Sequence, residues 1–192
     1  QLQAGLNMGM AGIPWWTSDI GGFVGGNIED ADFRELLVRW FAWGAFCPVF
    51  RMHGERSPWY EREQEFIDNV RQLTSGQDNE VWSFGEDNYE ILKKYLKVRE
   101  NMRPYIRECM RAASETGAPV MRPLFFDFPE DKKCWETEDV YMFGPDVLVA
   151  PVMELGARER TLYLPKGAEW KDAISGKLYE GGQTITVDAP LS

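Results

Sequence analysis

The sequence predicts an α/β segment built on a parallel sheet, followed by a segment of antiparallel β structure. Two apolar runs, at residues 13–16 and 45–50, each end in a polar loop that contains glycine. A helical repeat of apolar residues lies between the two runs, which is typical of a β–α–β unit. From residue 119 onward, short β-rich runs alternate with turns rich in glycine and proline. We therefore predict a domain boundary near residue 118.

The first two elements are the end of a helix at residues 1–11 and a buried strand at residues 13–16, which contains Trp15 and Trp16. Pro14 is compatible with a position near the start of a strand. From the residues alone, an ordinary strand that leads into a loop without function remains an open alternative.

A polar, glycine-rich turn follows this strand and carries the first candidate site residues. Gly21 and Gly22 allow backbone angles that other residues avoid, so the chain can reverse sharply there. Asp19 and Phe23 flank the two glycines, and α/β folds often build a site from such residues at the carboxyl end of a strand. Asp19 could instead cap the turn with its own carboxylate.

The next helix and strand complete the predicted unit. Apolar residues recur at helical spacing over residues 31–43, and the run at 45–50 predicts a second buried strand. Arg51 and His53 follow that run directly.

Parallel strands place their carboxyl ends at the same edge of a sheet. We therefore expect Asp19 and Phe23, which follow the first strand, to lie beside Arg51 and His53, which follow the second. This convergence is the main reason for predicting a site. His53 could serve as a structural histidine, a hydrogen-bond donor to substrate or a general acid or base. Asp19 could orient Arg51 or contact substrate.

A long polar excursion occupies residues 56–86, with a short helix expected near residues 61–73. The pattern Asp87-x-x-Glu90 has the form of a capping box and predicts a helix that runs to about Met102.

A second helix is expected after Pro104, which interrupts the first, and Gly117 is its expected C-cap. The strands predicted beyond it are at residues 120–126, 140–143, 147–150, 160–164 and 183–187.

The composition limits the classes of function. The 192 residues carry a formal net charge of −10 with a pI near 4.7, which argues against binding to nucleic acid or to an anionic membrane. Aromatic residues make up 14% of the chain, a richness that suits either a large core or surfaces that stack on sugars.

The cysteine and histidine content is low. Cys47, Cys109 and Cys134 are an odd number without a C-x-x-C spacing, which indicates neither a disulfide framework nor a zinc site. Three reduced thiols favour a cytoplasmic location, which the residues otherwise leave unknown. His53 is the single histidine, so a histidine-rich metal site is excluded.

Taken together, several ordered motifs resemble glycoside hydrolase family 31, and they span nearly the whole chain. The resemblance implies a retaining α-glucosidase or α-xylosidase whose (β/α)8 barrel precedes β-sandwich domains. Residues 1–118 would be the last quarter of the barrel, and residues 119–192 the start of the proximal β-sandwich-like domain. The motifs are AGIPWWTSDIGGF at 11–23, FRMHG at 50–54, WSFG at 82–85, VMRPL at 120–124, FGPDVLVAPV at 143–152, LYLP at 162–165 and GGQTI at 181–185.

The resemblance also implies roles for individual residues. Phe23 and His53 match the aromatic and the histidine that line the subsite for the scissile sugar. Asp19 and Arg51 match motif positions in the same pocket. No cofactor or metal is implied. Separately from the resemblance, Trp15 and Trp16 alternate across the predicted strand, so one of them, assigned as Trp16, faces the interior and is expected to form the floor of the pocket.

The family nucleophile and acid/base aspartates follow barrel strands four and six, so both would precede Gln1. We therefore expect a fragment of a retaining α-glycosidase that lacks these two residues and is inactive alone. Its partners would be an oligosaccharide and the remainder of its own polypeptide, with the oligomeric state open. The alternative is a non-catalytic carbohydrate-binding or scaffolding module.

Overall fold

A computed structural model describes residues 1–57, 66–67, 70–71 and 78–191 of the chain. The helices are α1 Leu2–Met10, α2 Ala31–Gly44, α3 Glu86–Asn101, α4 Arg103–Thr116, α5 Leu124–Asp127 and α6 Lys132–Glu136, with a 3-10 helix at Val81–Phe84. The strands are β1 Val24–Asn27, β2 Glu55–Ser57, β3 Phe66–Ile67, β4 Val70–Arg71, β5 Met121–Pro123, β6 Tyr141–Phe143, β7 Val147–Val149, β8 Glu159–Leu164, β9 Glu169–Lys171, β10 Leu178–Glu180 and β11 Gln183–Asp188.

The described residues form two compact units. The parallel-strand unit contains those within Thr17–Ala45, Val49–Asn101 and Leu191–Ser192. The β-rich unit contains Gln1–Trp16, Phe46–Pro48 and Met102–Pro190. The predicted domain boundary near residue 118 stays a prediction.

The parallel-strand unit contains the predicted β–α–β connection, but its strands lie elsewhere. β1 and β2 pair in parallel, and α2 lies between them in the chain. The runs at 13–16 and 45–50 are not strands, so their prediction as buried strands was wrong. Trp15 is 67% exposed. A strand needs a hydrogen-bonded neighbour, and an apolar run does not reveal from its own residues whether one is present.

Helix α2 begins and packs as its sequence predicts. The Asp30 side chain accepts a hydrogen bond from the backbone N–H of Asp32 at 3.0 Å and caps the helix. Leu37 and Phe41 are buried on one face, and burying each side chain stabilises the fold by roughly 1.5–3 kcal/mol. The hydrophobic core of this unit comprises Ile20, Phe33, Leu37, Val38, Phe41, Phe84, Ile91 and Leu92.

The two long helices after the excursion are confirmed. Helix α3 begins at Glu86, so Asp87 lies inside its first turn and is not the N-cap of the expected capping box. Pro104 lies in the first turn of α4, where backbone N–H groups have no partner within the helix, so the missing N–H of proline costs no hydrogen bond. Gly117, with φ of +78°, is the left-handed C-cap of α4.

The helix predicted near residues 61–73 is wrong where the structure describes it. Strands β3 and β4, at Phe66–Ile67 and Val70–Arg71, pair antiparallel. The rest of that prediction lies outside the described residues.

The β-rich unit contains the predicted antiparallel structure. β5, β6 and β7 form a three-stranded antiparallel sheet, and β8 pairs antiparallel with β11 and β9 with β10. The strand predicted over residues 120–126 ends at Pro123, and the chain continues directly into α5. The short helices α5 and α6 were not predicted, because neither is long enough to show a helical repeat.

Buried polar contacts hold the β-rich unit together. Asp131 is buried, and its carboxylate accepts a hydrogen bond from Tyr163 Oη at 2.6 Å and from the backbone N–H of Lys166 at 2.9 Å. Helix α1 packs closely on β5. A Cβ at Gly9 would lie only 2.7 Å from the carbonyl oxygen of Met121, so the approach requires glycine at this position.

The three cysteines are buried thiols. No helix in the described part of the chain is both long enough and apolar enough to cross a membrane.

Candidate functional site

The parallel register of the first unit brings Asp19 and Arg51 together. Ile20 forms a parallel bridge with Met52, which sets their preceding residues side by side. Arg51 Nη2 donates to Asp19 Oδ1 at 2.7 Å. The side chain of Ile20 is fully buried in the core, and neighbouring residues of an extended segment point to opposite faces. The ion pair therefore lies on the face away from the core.

Phe23 and His53 form the second pair. Their ring centroids are 5.4 Å apart and the ring planes are tilted by 37°. Phe23 is 61% exposed and His53 is also exposed. Full burial of a phenylalanine supplies roughly 1.5–3 kcal/mol, and Phe23 gains only part of it, so this pair offers an uncovered apolar surface beside a polar ring.

The backbone between Asp19 and Phe23 makes the predicted sharp turn. The N–H of Gly22 donates to the carbonyl oxygen of Asp19 at 2.8 Å. Gly21 occupies the third position of this turn with φ of +85°, a value that a type II turn requires and that favours glycine there. The turn ends with Phe23 directed to solvent.

The loop of His53 meets this turn at Gly54. A Cβ on Gly54 would lie 2.2 Å from the carbonyl oxygen of Gly22 and 3.0 Å from that of Phe23. The backbones of the two loops are thus in direct contact.

Arg56, a fully buried side chain on β2, is not among the residues that the sequence predicts for the site. Its guanidinium donates to carbonyl oxygens of the loop that carries Phe23, and its Nε donates to Asn79 Oδ1 at 3.0 Å. Desolvation by burial lowers the pKa of Arg56 below its ordinary value. Arginine side chains are rarely buried, and nothing in the local pattern marks this one.

Trp16 belongs to the β-rich unit, whereas the other four candidates belong to the parallel-strand unit. Its ring packs over Gly5 of α1, where a Cβ would lie 2.7 Å from a ring carbon. Its assignment to the floor of a sugar pocket stays a prediction, as do the ligand contacts of Asp19, Phe23, Arg51 and His53.

Within the described ranges, no cluster of three or more histidine, cysteine, aspartate or glutamate side chains is arranged to hold a metal ion.

Comparison with known proteins identifies the class of protein. A family model described as the glycosyl hydrolases family 31 TIM-barrel domain matches residues 1–108. A second, described as the glycosyl hydrolase family 31 C-terminal domain, matches residues 117–192. The chain therefore combines part of a glycosidase barrel with a C-terminal β domain. It belongs to glycosyl hydrolase family 31, which confirms the resemblance found in the sequence.

Three relatives show the range of the family. The chain is 36% identical to an α-xylosidase of Saccharolobus solfataricus over 191 residues, covering 100% of this chain and 23% of that protein. It is 37% identical to α-glucosidase 2 of Bacillus thermoamyloliquefaciens, and the match covers 97% of this chain and 21% of that protein. The crystal structure of an α-xylosidase from a soil metagenome, complexed with xylose, is 58% identical with a TM-score of 0.96, covering 100% of this chain and 28% of that one. The chain thus spans about a quarter or less of the curated relatives' length.

Proposed function

We propose that this chain is part of a retaining α-glycosidase that removes terminal α-linked xylose or glucose from oligosaccharides, and that it contributes Phe23 and His53 to the subsite of the scissile sugar. The observation that carries the proposal is the exposed pair of rings, 5.4 Å apart, on two loops in backbone contact. Membership of the family supplies the reaction class.

The chemistry of the two rings suits a sugar. The apolar C–H face of a pyranose packs against an aromatic ring, and Phe23 presents such a ring to solvent. A ring nitrogen of His53 donates a hydrogen bond to a sugar hydroxyl. This bond strengthens as the sugar ring flattens toward the oxocarbenium-like transition state. Asp19 fixes the orientation of Arg51 in the same region through their ion pair.

The reaction itself needs two further carboxylates. A retaining glycosidase uses a nucleophile and a general acid/base about 5 Å apart, and it proceeds through a covalent glycosyl–enzyme intermediate. We propose that other segments of the full-length protein supply both groups, and that residues 1–192 alone do not hydrolyse substrate. The barrel segment would then be the last quarter of the (β/α)8 fold.

The experiment compares His53→Ala and Phe23→Ala in the full-length protein, with p-nitrophenyl α-xyloside and α-glucoside as substrates. We expect His53→Ala to lower kcat/KM roughly 10- to 100-fold, because a hydrogen bond made in the transition state is lost. Phe23→Ala should act mainly by raising KM. The glycoside with the higher kcat/KM shows whether the substrate specificity follows the α-xylosidase relatives or the α-glucosidase relatives.

Leu36→Ala is the matched control, because Leu36 is a 48% exposed apolar side chain on α2 of the same unit. It should leave kcat/KM unchanged. If His53→Ala kept full kcat/KM while its melting temperature fell by many degrees, His53 would be a structural histidine. If the full-length wild type bound xylose or glucose without hydrolysing either substrate, a non-catalytic carbohydrate-binding module would be the correct reading.

A further inference from the structure

The loop that carries Phe23 is held in shape by a side chain from the neighbouring strand. Arg56 Nη1 donates to the carbonyl oxygens of Gly21 at 3.1 Å, of Gly22 at 2.9 Å and of Gly25 at 3.2 Å. Its Nη2 donates to the carbonyl oxygen of Ile20 at 3.0 Å. These four acceptors span the loop on both sides of Phe23.

This loop needs such an anchor because glycine occupies four of its positions, 21, 22, 25 and 26. Glycine loses more conformational freedom on ordering than any other residue. Bonds from a fixed side chain offset this loss, and Arg56 is fixed because it is fully buried. These bonds therefore favour a single arrangement of the loop.

The surroundings of the guanidinium fit its shape. A Cβ on Gly21 would lie 2.7 Å from Arg56 Nη2, so the absence of a side chain at Gly21 makes room for the guanidinium. The Phe33 ring centroid lies 5.5 Å from the guanidinium carbon, within cation–π range. Asn79 accepts from Arg56 Nε and donates to the carbonyl oxygen of Gly54 at 3.4 Å, which links the guanidinium to the His53 loop.

We propose that Arg56 is a positioning residue that holds Phe23 at its distance from His53 and so sets the affinity of the subsite for sugar. The proposal rests on the proposed function for its substrate. Lysine cannot replace arginine here, because an ammonium is a compact charge with three donors and lacks the planar five-donor fork that reaches several carbonyls at once.

The first test is a double-mutant cycle in the full-length protein with Arg56→Lys and Phe23→Ala. We expect Arg56→Lys to lower kcat/KM roughly 10- to 100-fold in the wild-type background, mainly through KM, because the Phe23 ring is displaced. In the Phe23→Ala background the same change should cost about threefold or less, since the ring it positions is gone. Equal losses in the two backgrounds would overturn the proposal.

The second test does not depend on hydrolysis. Hydrogen–deuterium exchange of the backbone amides of residues 20–26 should accelerate at least about tenfold in Arg56→Lys, whereas exchange in α3 stays unchanged. Arg34→Lys is the matched control, because within the described part of this unit Arg34 donates to one carbonyl, that of Ile28. It should leave exchange in the loop as it is in wild type.

The two tests separate the two proposals. Accelerated exchange together with an inactive wild type would reject the glycosidase function and retain Arg56 as the residue that positions the loop. Unchanged exchange in residues 20–26 would reject the positioning role even in an active enzyme. If Arg56→Lys does not fold, Asn79→Ala is the second variant, because it removes the acceptor that holds Arg56 Nε and so loosens the guanidinium on its four carbonyl contacts. Exchange in residues 20–26 should then accelerate, although less than in Arg56→Lys, and unchanged exchange there would overturn the proposal.

Discussion

Replacing Gly54 with alanine should disrupt the contact between the two site loops. The new Cβ would lie 2.2 Å from the carbonyl oxygen of Gly22, more than 1 Å short of the 3.4 Å of an ordinary van der Waals contact. That carbonyl also accepts a hydrogen bond from the buried Arg56, so it cannot move away without losing a partner. The backbone of Gly54 itself has φ of +135°, a conformation that alanine rarely adopts.

The magnitude follows from these two effects. The backbone conformation costs alanine roughly 1–3 kcal/mol, and the forced displacement of packed atoms adds roughly 1–3 kcal/mol. We expect Gly54→Ala to lower the free energy of unfolding by roughly 2–6 kcal/mol in urea denaturation of the full-length protein. Because the displaced segment leads directly into Phe23, kcat/KM should also fall on the order of 100-fold, as a 1 Å misplacement can cause.

Gly85→Ala separates the cost of backbone strain from the cost of displacing packed atoms. Gly85 has φ of +89° and ψ of +153°, yet a Cβ there would meet nothing within 4 Å. This control should therefore lose only the roughly 1–3 kcal/mol of backbone strain and keep its kcat/KM. Equal destabilisation of both variants, together with a kcat/KM of Gly54→Ala within about threefold of wild type, would contradict the predicted steric clash at Gly54.

Two further predictions concern buried groups of the β-rich unit. Burial opposes ionisation of the Asp131 carboxyl, but hydrogen bonds from Tyr163 Oη and from the backbone N–H groups of Lys166 and Lys133 outweigh it and hold the pKa of Asp131 below its ordinary value of 3.8. Asp131→Asn should therefore lower the free energy of unfolding by roughly 1.5–3 kcal/mol at neutral pH. Urea titrations should show that this difference between variant and wild type disappears as the pH falls below 3.8 through the lowered pKa. A difference that persists in acid would contradict the assignment. Burial, and secondarily the negative charge of Asp131, raises the pKa of the Cys134 thiol to about 12. In native protein at pH 8, this cysteine should therefore resist alkylation by iodoacetamide, as measured by peptide mass spectrometry. Rapid alkylation of Cys134 would count against its burial.

The elements that the sequence predicts well are those whose signals are local. Helix α2 shows its apolar repeat within residues 31–43, and α4 shows its limits through Pro104 and Gly117. The prediction that two loops converge is also correct, since Arg51 bonds Asp19. It requires only that the two segments run parallel, as Ile20 and Met52 do, and it holds although both loops precede β1 and β2.

The wrong predictions concern strands, whose position depends on a second segment of the chain. The runs at 13–16 and 45–50 are as apolar as strands, but the hydrogen-bonded pairing occurs further along, between β1 and β2. Pairing is a property of two segments, so the residues of one segment cannot locate it. The strand predicted to continue through residue 126 likewise ends at Pro123, where the chain turns into α5.

Motifs and periodicity are read along the chain, so the residues alone predict the family, the order of an α/β segment and a β segment, and the candidates Asp19, Phe23, Arg51 and His53. The burial of Arg56 beneath the Phe23 loop, with its guanidinium on that loop's carbonyl oxygens, becomes visible only in the folded chain. These acceptors are main-chain atoms, which every residue carries, so no side-chain pattern marks them. Their gathering around one guanidinium depends on the folded path of two segments more than thirty residues apart.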